Sequence, residues 1–181
     1  MGVLHAKNNK REVEKMSYLI EYREAIRRGE IIAGMELITE LDNLIEDLNN
    51  PKYIYDTKDA EMRIDFMQNC IRLTKSPFYN KPMKLMLWQK AFIETVFSFK
   101  MANETYIDSS GRKKHVDRFK KILLLIARKN TKSETCSALE LTEGIIGNEG
   151  ADLVCSSNDD IQASILYDAI DTMRLLIDPE Q

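Results

Sequence analysis

The chain has 181 residues, 44% hydrophobic and 30% charged, with a formal net charge of −3, which suits one globular domain with a real core. No apolar run approaches the roughly 20 residues of a membrane-spanning helix, and the polar opening Met1 to Arg11 lacks the apolar stretch of a secretory signal; we expect a soluble cytoplasmic protein without membrane contact. Cys70, Cys136 and Cys155 are odd in number and widely spaced, with only His5 and His115 as imidazole partners, which favours buried free thiols over a disulfide framework or a zinc site.

The first part reads as helical. Glu12 to Arg28 is rich in helix formers and ends at Gly29, a natural C-terminal stop. Met35 to Leu48 places Leu37, Leu41, Leu44, Ile45 and Leu48 on one face, and Asn49-Asn50-Pro51 halts it. Lys58 to Leu73 carries Met62, Ile64, Phe66, Met67, Cys70 and Ile71 on a broad apolar face, in which the methionines fill core space. The loop Lys75 to Pro82 then separates a helical N-terminal region, residues 1–75, from a second region, residues 76–181.

In the second region Leu85, Trp88, Phe92, Val96 and Phe99 recur every three or four residues and predict one buried stripe, with Gln89 at its edge. By spacing alone Gln89 is an ordinary polar helix residue; chemically its amide could also pair with adenine N6 and N7, with Trp88 shaping an apolar wall. Glu104 to Phe119 predicts a hairpin turning at Ser109-Ser110-Gly111.

Ile122 to Ile126 is a short branched run that suits a strand buried on both faces of a parallel sheet. It leads through Ala127-Arg128-Lys129-Asn130-Thr131 into a helix over Ser133 to Ile146, stopped at Gly147-Asn148. Ala151 to Cys155 predicts the next strand. Ser157 or Asn158 caps a last helix with Asp159-Asp160 in its acidic first turn and Ile161, Ile165, Ala169 and Met173 on its inner face, ending at Asp178-Pro179. Strand, helix, strand, helix in that order predicts an α/β fold with a parallel sheet and right-handed crossovers.

Charge is unevenly spread. Arg112 to Lys132 holds nine basic residues against Asp117, a window of net +8, leaving net −11 elsewhere. Such a window can gather phosphate on one face, or simply be a solvated charged hairpin.

Lys132-Ser133, at the junction of strand and helix, supplies what a nucleotide needs there: an ammonium for the outer phosphates, a hydroxyl for Mg²⁺, and backbone N–H groups at a positive helix end. The G-x-x-x-x-G-K-[ST] pattern is nonetheless altered, with Ile126 and Thr131 at the two glycine positions. Pattern alone leaves a basic surface turn equally open.

Arg128-Lys129-Asn130-Thr131-Lys132-Ser133, with Leu87-Trp88-Gln89-Lys90 upstream and Asp159-Asp160-Ile161-Gln162-Ala163 downstream, resembles in order and spacing the large terminase subunits of tailed bacteriophages, which are ATP-driven DNA-packaging motors. The resemblance runs from about Gly34 to Pro179 and includes Ile71-Arg72-Leu73-Thr74-Lys75 and the segment Phe92 to Phe99. It implies a P-loop NTPase-like three-layer parallel sheet, with residues 76–181 as the front half of the ATPase domain, and a phage or prophage origin. ATP and Mg²⁺ would be the cofactors.

By the same resemblance Lys132 would neutralise the outer phosphates, Ser133 would ligate Mg²⁺, and the amides of Lys129, Asn130, Thr131, Lys132 and Ser133 would cradle the phosphate chain. Gln89 would read adenine. Arg128 would stabilise charge on the transferring phosphoryl group, as a guanidinium bridging two oxygens can. The implied partners are double-stranded DNA, a portal protein, a small terminase subunit and further copies in a ring.

The family usually has glycine where this chain has Thr131. The acidic strand that completes Mg²⁺ binding is not apparent, since Leu175-Leu176-Ile177-Asp178 reads as a helix end. The expectation is therefore a fragment lacking that strand and the nuclease domain, which binds nucleotide weakly and hydrolyses it negligibly. Two other classes fit the residues: a helicase-like P-loop NTPase, and a non-enzymatic nucleic-acid-binding or interaction module with a degenerate nucleotide site.

Overall fold

The computed structural model describes residues 17–127, 129–147, 152–157 and 159–178. They form six helices and three strands: α1 Tyr18–Arg27, α2 Met35–Asp47, β1 Tyr53–Tyr55, α3 Lys58–Asn69, α4 Leu87–Ser98, β2 Phe99–Ile107, β3 Lys113–Asp117, α5 Lys132–Ile146 and α6 Asp160–Ile177. The chain divides into two compact units that interleave in sequence. The first takes the described residues of Met1–Glu61 with Met86–Lys120, and the second those of Met62–Leu85 with Lys121–Gln181. The division falls within α3, so the expected boundary after residue 75 lies inside the second unit.

In the first unit, α1 packs on α2 and on α4. Ser17 caps α1, its hydroxyl accepting the N–H of Ile20 at 3.3 Å. At the other end Gly29 takes φ +75, and the N–H groups of Gly29 and Glu30 bond back to Ile26 and Ala25. Those two bonds satisfy carbonyls that the helix end leaves open, in a geometry that glycine adopts without a Cβ penalty. Leu19, Leu41, Leu44 and Phe99 form the core, with Tyr22, Ile26, Ile45, Leu48, Tyr53, Tyr55 and Phe119 packed against it.

The sheet is antiparallel, in the order β1-β2-β3. Tyr53 pairs with Met101 and Tyr55 with Phe99 on one side of β2, while Thr105 pairs with His115 and Ile107 with Lys113 on the other. An irregularity between Lys100 and Thr105 offsets the second ladder. Phe99 is fully buried, but β2 is exposed on both faces from Asn103 onward, so its outer half and β3 form a solvated ribbon. This is the hairpin expected from Ser109-Ser110-Gly111, closed by Asp108, which accepts the N–H groups of Ser110 and Arg112.

In the second unit α5 packs on α6, with Ala138, Leu141, Ala169 and Met173 buried. Arg63 of α3 makes two bonds to the Glu143 carboxylate of α5 through Nε and Nη2. The loop between α3 and α4 doubles back on itself. Arg72 bridges Pro82, and the N–H groups of Leu73, Asn80 and Met83 bond to Lys81, Leu73 and Ile71.

Three expectations change here. The parallel sheet is not formed among the described residues: Ile122 to Ile126 and the described part of 151–155 join no ladder, and Leu123 and Leu125 are 89% and 92% exposed. A strand is stable only when another strand satisfies its backbone, and apolar composition supplies no such partner. In α4 the buried residues are Gln89, Ala91, Ile93, Glu94, Val96 and Ser98, whereas Trp88 and Phe92 are half-buried. The inner face thus carries three polar residues and includes Gln89. In α6, Ala169 and Met173 are buried as expected, but Ile161 and Ile165 are exposed.

Candidate functional site

Helix α5 begins at Lys132, with Thr131 as its N-cap. Thr131 has φ 56 and Lys129 has φ 69, both left-handed. A β-branched residue seldom takes that conformation, because Cβ crowds the backbone. Both residues stand just before the first turn of α5, where the unbonded N–H groups and the positive helix end favour an anion. The Thr131 carbonyl accepts the N–H of Thr135 at 2.8 Å and its hydroxyl at 2.9 Å, and the Thr131 hydroxyl donates to the Asn130 carbonyl at 2.7 Å. The threonine is held in the place a glycine would occupy by bonds on both sides.

Lys132 and Ser133 are consequently the first two residues of the helix. Lys129, Asn130 and Lys132 are exposed and Ser133 is half-buried, so the ammonium groups and the hydroxyl lie at the surface of the helix start. Neither Lys129 nor Lys132 has an acidic partner among the described residues. Arg128 lies outside the described residues.

One residue further on is a feature that the sequence reading missed. The Glu134 carboxylate accepts both the N–H of Thr74 at 2.7 Å and its hydroxyl at 3.0 Å. It fastens the 71–83 loop, which carries the Ile71-Arg72-Leu73-Thr74-Lys75 motif, to the first turn of α5. No local pattern encodes that tie, since the two residues lie far apart in sequence. Within α5, burial pushes the Cys136 thiol up, and the Lys132 charge opposes it. Cys155 is also raised, by burial and by the Glu140 carboxylate to which its thiol donates. All three cysteines are free and half-buried.

Gln89 belongs to the first unit. It is 2% exposed, and its Oε1 accepts the N–H of Met86 at 2.7 Å, closing the first turn of α4. Trp88 is half-buried beside it in sequence.

No family model, curated protein or solved structure matches this chain. The assignment of a site therefore rests on its residues and their geometry.

The basic window is less uniformly free than its composition suggests. Arg112 and Lys114 both face Asp108, and Arg118 pairs with Asp47 at 2.7 Å. Hydrogen bonds from Ser110 and the Arg112 backbone hold the Asp108 carboxyl far below the usual carboxylate range. Lys113, Lys120 and Lys121 are exposed and, among the described residues, have no acidic partner. No helix among the described residues is long and apolar enough to cross a membrane.

Proposed function

We propose that this chain carries the ATP-binding site of a phage DNA-packaging terminase motor. The observation that carries the reading is the left-handed Thr131 at the N-cap of α5, which makes Lys132 and Ser133 the first two helical residues. That is the arrangement a triphosphate tail requires: N–H donors and the positive helix end, an ammonium for the outer phosphates, and a hydroxyl for Mg²⁺. Lys132 binds the β- and γ-phosphates, and Ser133 ligates Mg²⁺. Arg128 serves the transferring phosphoryl group.

In the same reading, residues 122–126 and 151–155 are strands of the domain's parallel sheet. The branched apolar composition of Ile122 to Ile126 supports this, because internal strands of a parallel sheet are rich in such residues. The full motor acts as a ring of subunits with a portal protein and a small terminase subunit, and moves double-stranded DNA.

Titration calorimetry with ATP and Mg²⁺ tests the site. Weak binding that weakens further in Lys132→Ala and becomes less Mg²⁺-dependent in Ser133→Ala is expected. Equal binding by the native chain and Lys132→Ala would remove the basis for the proposal.

A further inference from the structure

The loop between α3 and α4 presents two large aromatic side chains to solvent. Phe78 is 55% and Tyr79 56% exposed. They sit on a built scaffold: the N–H of Phe78 bonds to Lys75 and that of Lys81 to Phe78, inside the ladder that joins Ile71–Leu73 to Lys81–Met83. An aromatic pair displayed on a backbone bonded in this way loses little conformational entropy on contact with a ligand.

The chemistry around the rings is strongly one-sided. Between Asp65 and Glu94 the sequence contains no acidic residue, while Arg72, Lys75, Lys81 and Lys84 lie in or beside the loop. Lys75, Lys81 and Lys84 are exposed. The Lys81 ammonium stands 5.4 Å from the centre of the Phe78 ring, so cation and ring are presented together. The carboxylate that touches the loop, Glu134, is turned onto the N–H and hydroxyl of Thr74 at its base.

We infer that this loop is a contact surface for single-stranded nucleic acid, with Phe78 and Tyr79 stacking on unpaired bases and Lys75, Lys81 and Lys84 following the phosphates. Rings interleaved with lysines are the combination that sequence-tolerant single-strand binding uses. A duplex keeps its base faces covered, so it offers this loop phosphate alone and gains nothing from the rings. Its rings and lysines are not residues of the proposed nucleotide site at α5.

The test uses the whole chain and a short oligothymidylate, read by fluorescence anisotropy at several salt concentrations. Phe78→Ala and Tyr79→Ala should each weaken binding about fivefold or more, and Lys81→Gln with Lys84→Gln should flatten the salt dependence. Both rings are exposed, and an unchanged melting temperature would certify the fold of the variants. Tyr79→Trp adds a direct readout: its emission should be quenched by oligothymidylate but not by inorganic polyphosphate. Unchanged affinity in both alanine variants, equal quenching by polyphosphate, or ring-dependent binding to vesicles of anionic lipid in place of the oligonucleotide would overturn the inference. Lys132→Ala should leave this binding intact, so failure here and failure of the ATP site are distinguishable.

Discussion

Glu94, buried at 1% exposure in α4, accepts the phenol of Tyr55 at 2.6 Å. The same carboxylate takes the Ser17 hydroxyl at 2.6 Å and the N–H groups of Tyr18 and Leu19 at 2.9 and 3.1 Å. A residue of α4 thereby completes the N-terminal cap of α1 and holds β1. Its negative charge sits at the positive end of that helix, where an anion is favoured.

Glu94→Ala would strip four donors of their acceptor in a buried place, and each such loss costs about 1–3 kcal/mol. We expect a loss of about 3 kcal/mol or more in a denaturant titration, against about 1 kcal/mol for Tyr55→Phe, which removes one donor. Burial, and then the Glu94 charge, push the Tyr55 phenol well above its ordinary range. A group raised on folding contributes stability that is complete below its unfolded value of 10.0 and is lost as pH rises above it. The alkaline limb of the melting temperature should therefore be shallower in Tyr55→Phe. Identical alkaline limbs would mean that the phenol is not held neutral.

This cluster also shows where sequence patterns stop being informative. Helix α2 is legible from its apolar periodicity and the stop at Pro51, α1 from its helix formers and the stop at Gly29, and α5 from the stop at Gly147. The β2–β3 hairpin is legible because its turn residues are local as well. Strand β1 has three residues and gains its ladder from Phe99–Met101, so nothing near Tyr53 announces it. Glu94 reads as a surface residue until Ser17, Leu19 and Tyr55 are brought to it from elsewhere. The helix start at Lys132 was legible from residue type and spacing, whereas the Thr74–Glu134 tie was not. Residues 122–126 have strand composition but join no ladder among the described residues.

Thr131 is expected to respond to replacement by glycine. Its φ of 56 costs a β-branched side chain about 1–2 kcal/mol, part of which glycine's larger unfolded-state entropy offsets. Thr131→Gly should therefore be neutral to about 1 kcal/mol stabilising and should tighten ATP binding, because the amides beside the phosphates gain freedom. Thermal melting and calorimetry read the two effects separately. A clear destabilisation would show that the bond from the Thr131 hydroxyl to the Asn130 carbonyl outweighs the strain.

Arg118 links electrostatics to the core of the first unit. Its guanidinium lies 4.0 Å from the ring centre of Tyr53, 4.9 Å from Phe119 and 5.1 Å from Phe99, with Nη2 on Asp47. Burial works to raise the Asp47 carboxyl, but hydrogen bonds from Asn50 and Arg118 outweigh it and leave the group lowered. A lowered carboxylate contributes stability above its unfolded value of 3.8 that is lost as pH falls through the folded value. Asp47→Asn should accordingly cost about 1 kcal/mol at neutral pH and almost nothing in strong acid. Arg118→Lys should also destabilise the unit, because an ammonium lacks the planar, forked group that reaches the three rings and the carboxylate together. Equal losses for Asp47→Asn at both pH values would separate the carboxylate from acid unfolding.

Glu134 places a negative charge in the first turn of the helix where the proposed phosphates would lie. Like charges at that range oppose each other, so the residue should lower nucleotide affinity while it anchors Thr74. Glu134→Gln removes the charge and retains a carbonyl oxygen for the Thr74 N–H, and ATP should then bind about two- to fivefold more tightly, an effect of about 0.5–1 kcal/mol. Added salt should narrow the difference between the two proteins. Glu134→Ala removes the anchor too, so it should lose stability in the second unit whether or not affinity improves. If Glu134→Gln leaves ATP binding unchanged at every salt concentration, no anion occupies the start of α5.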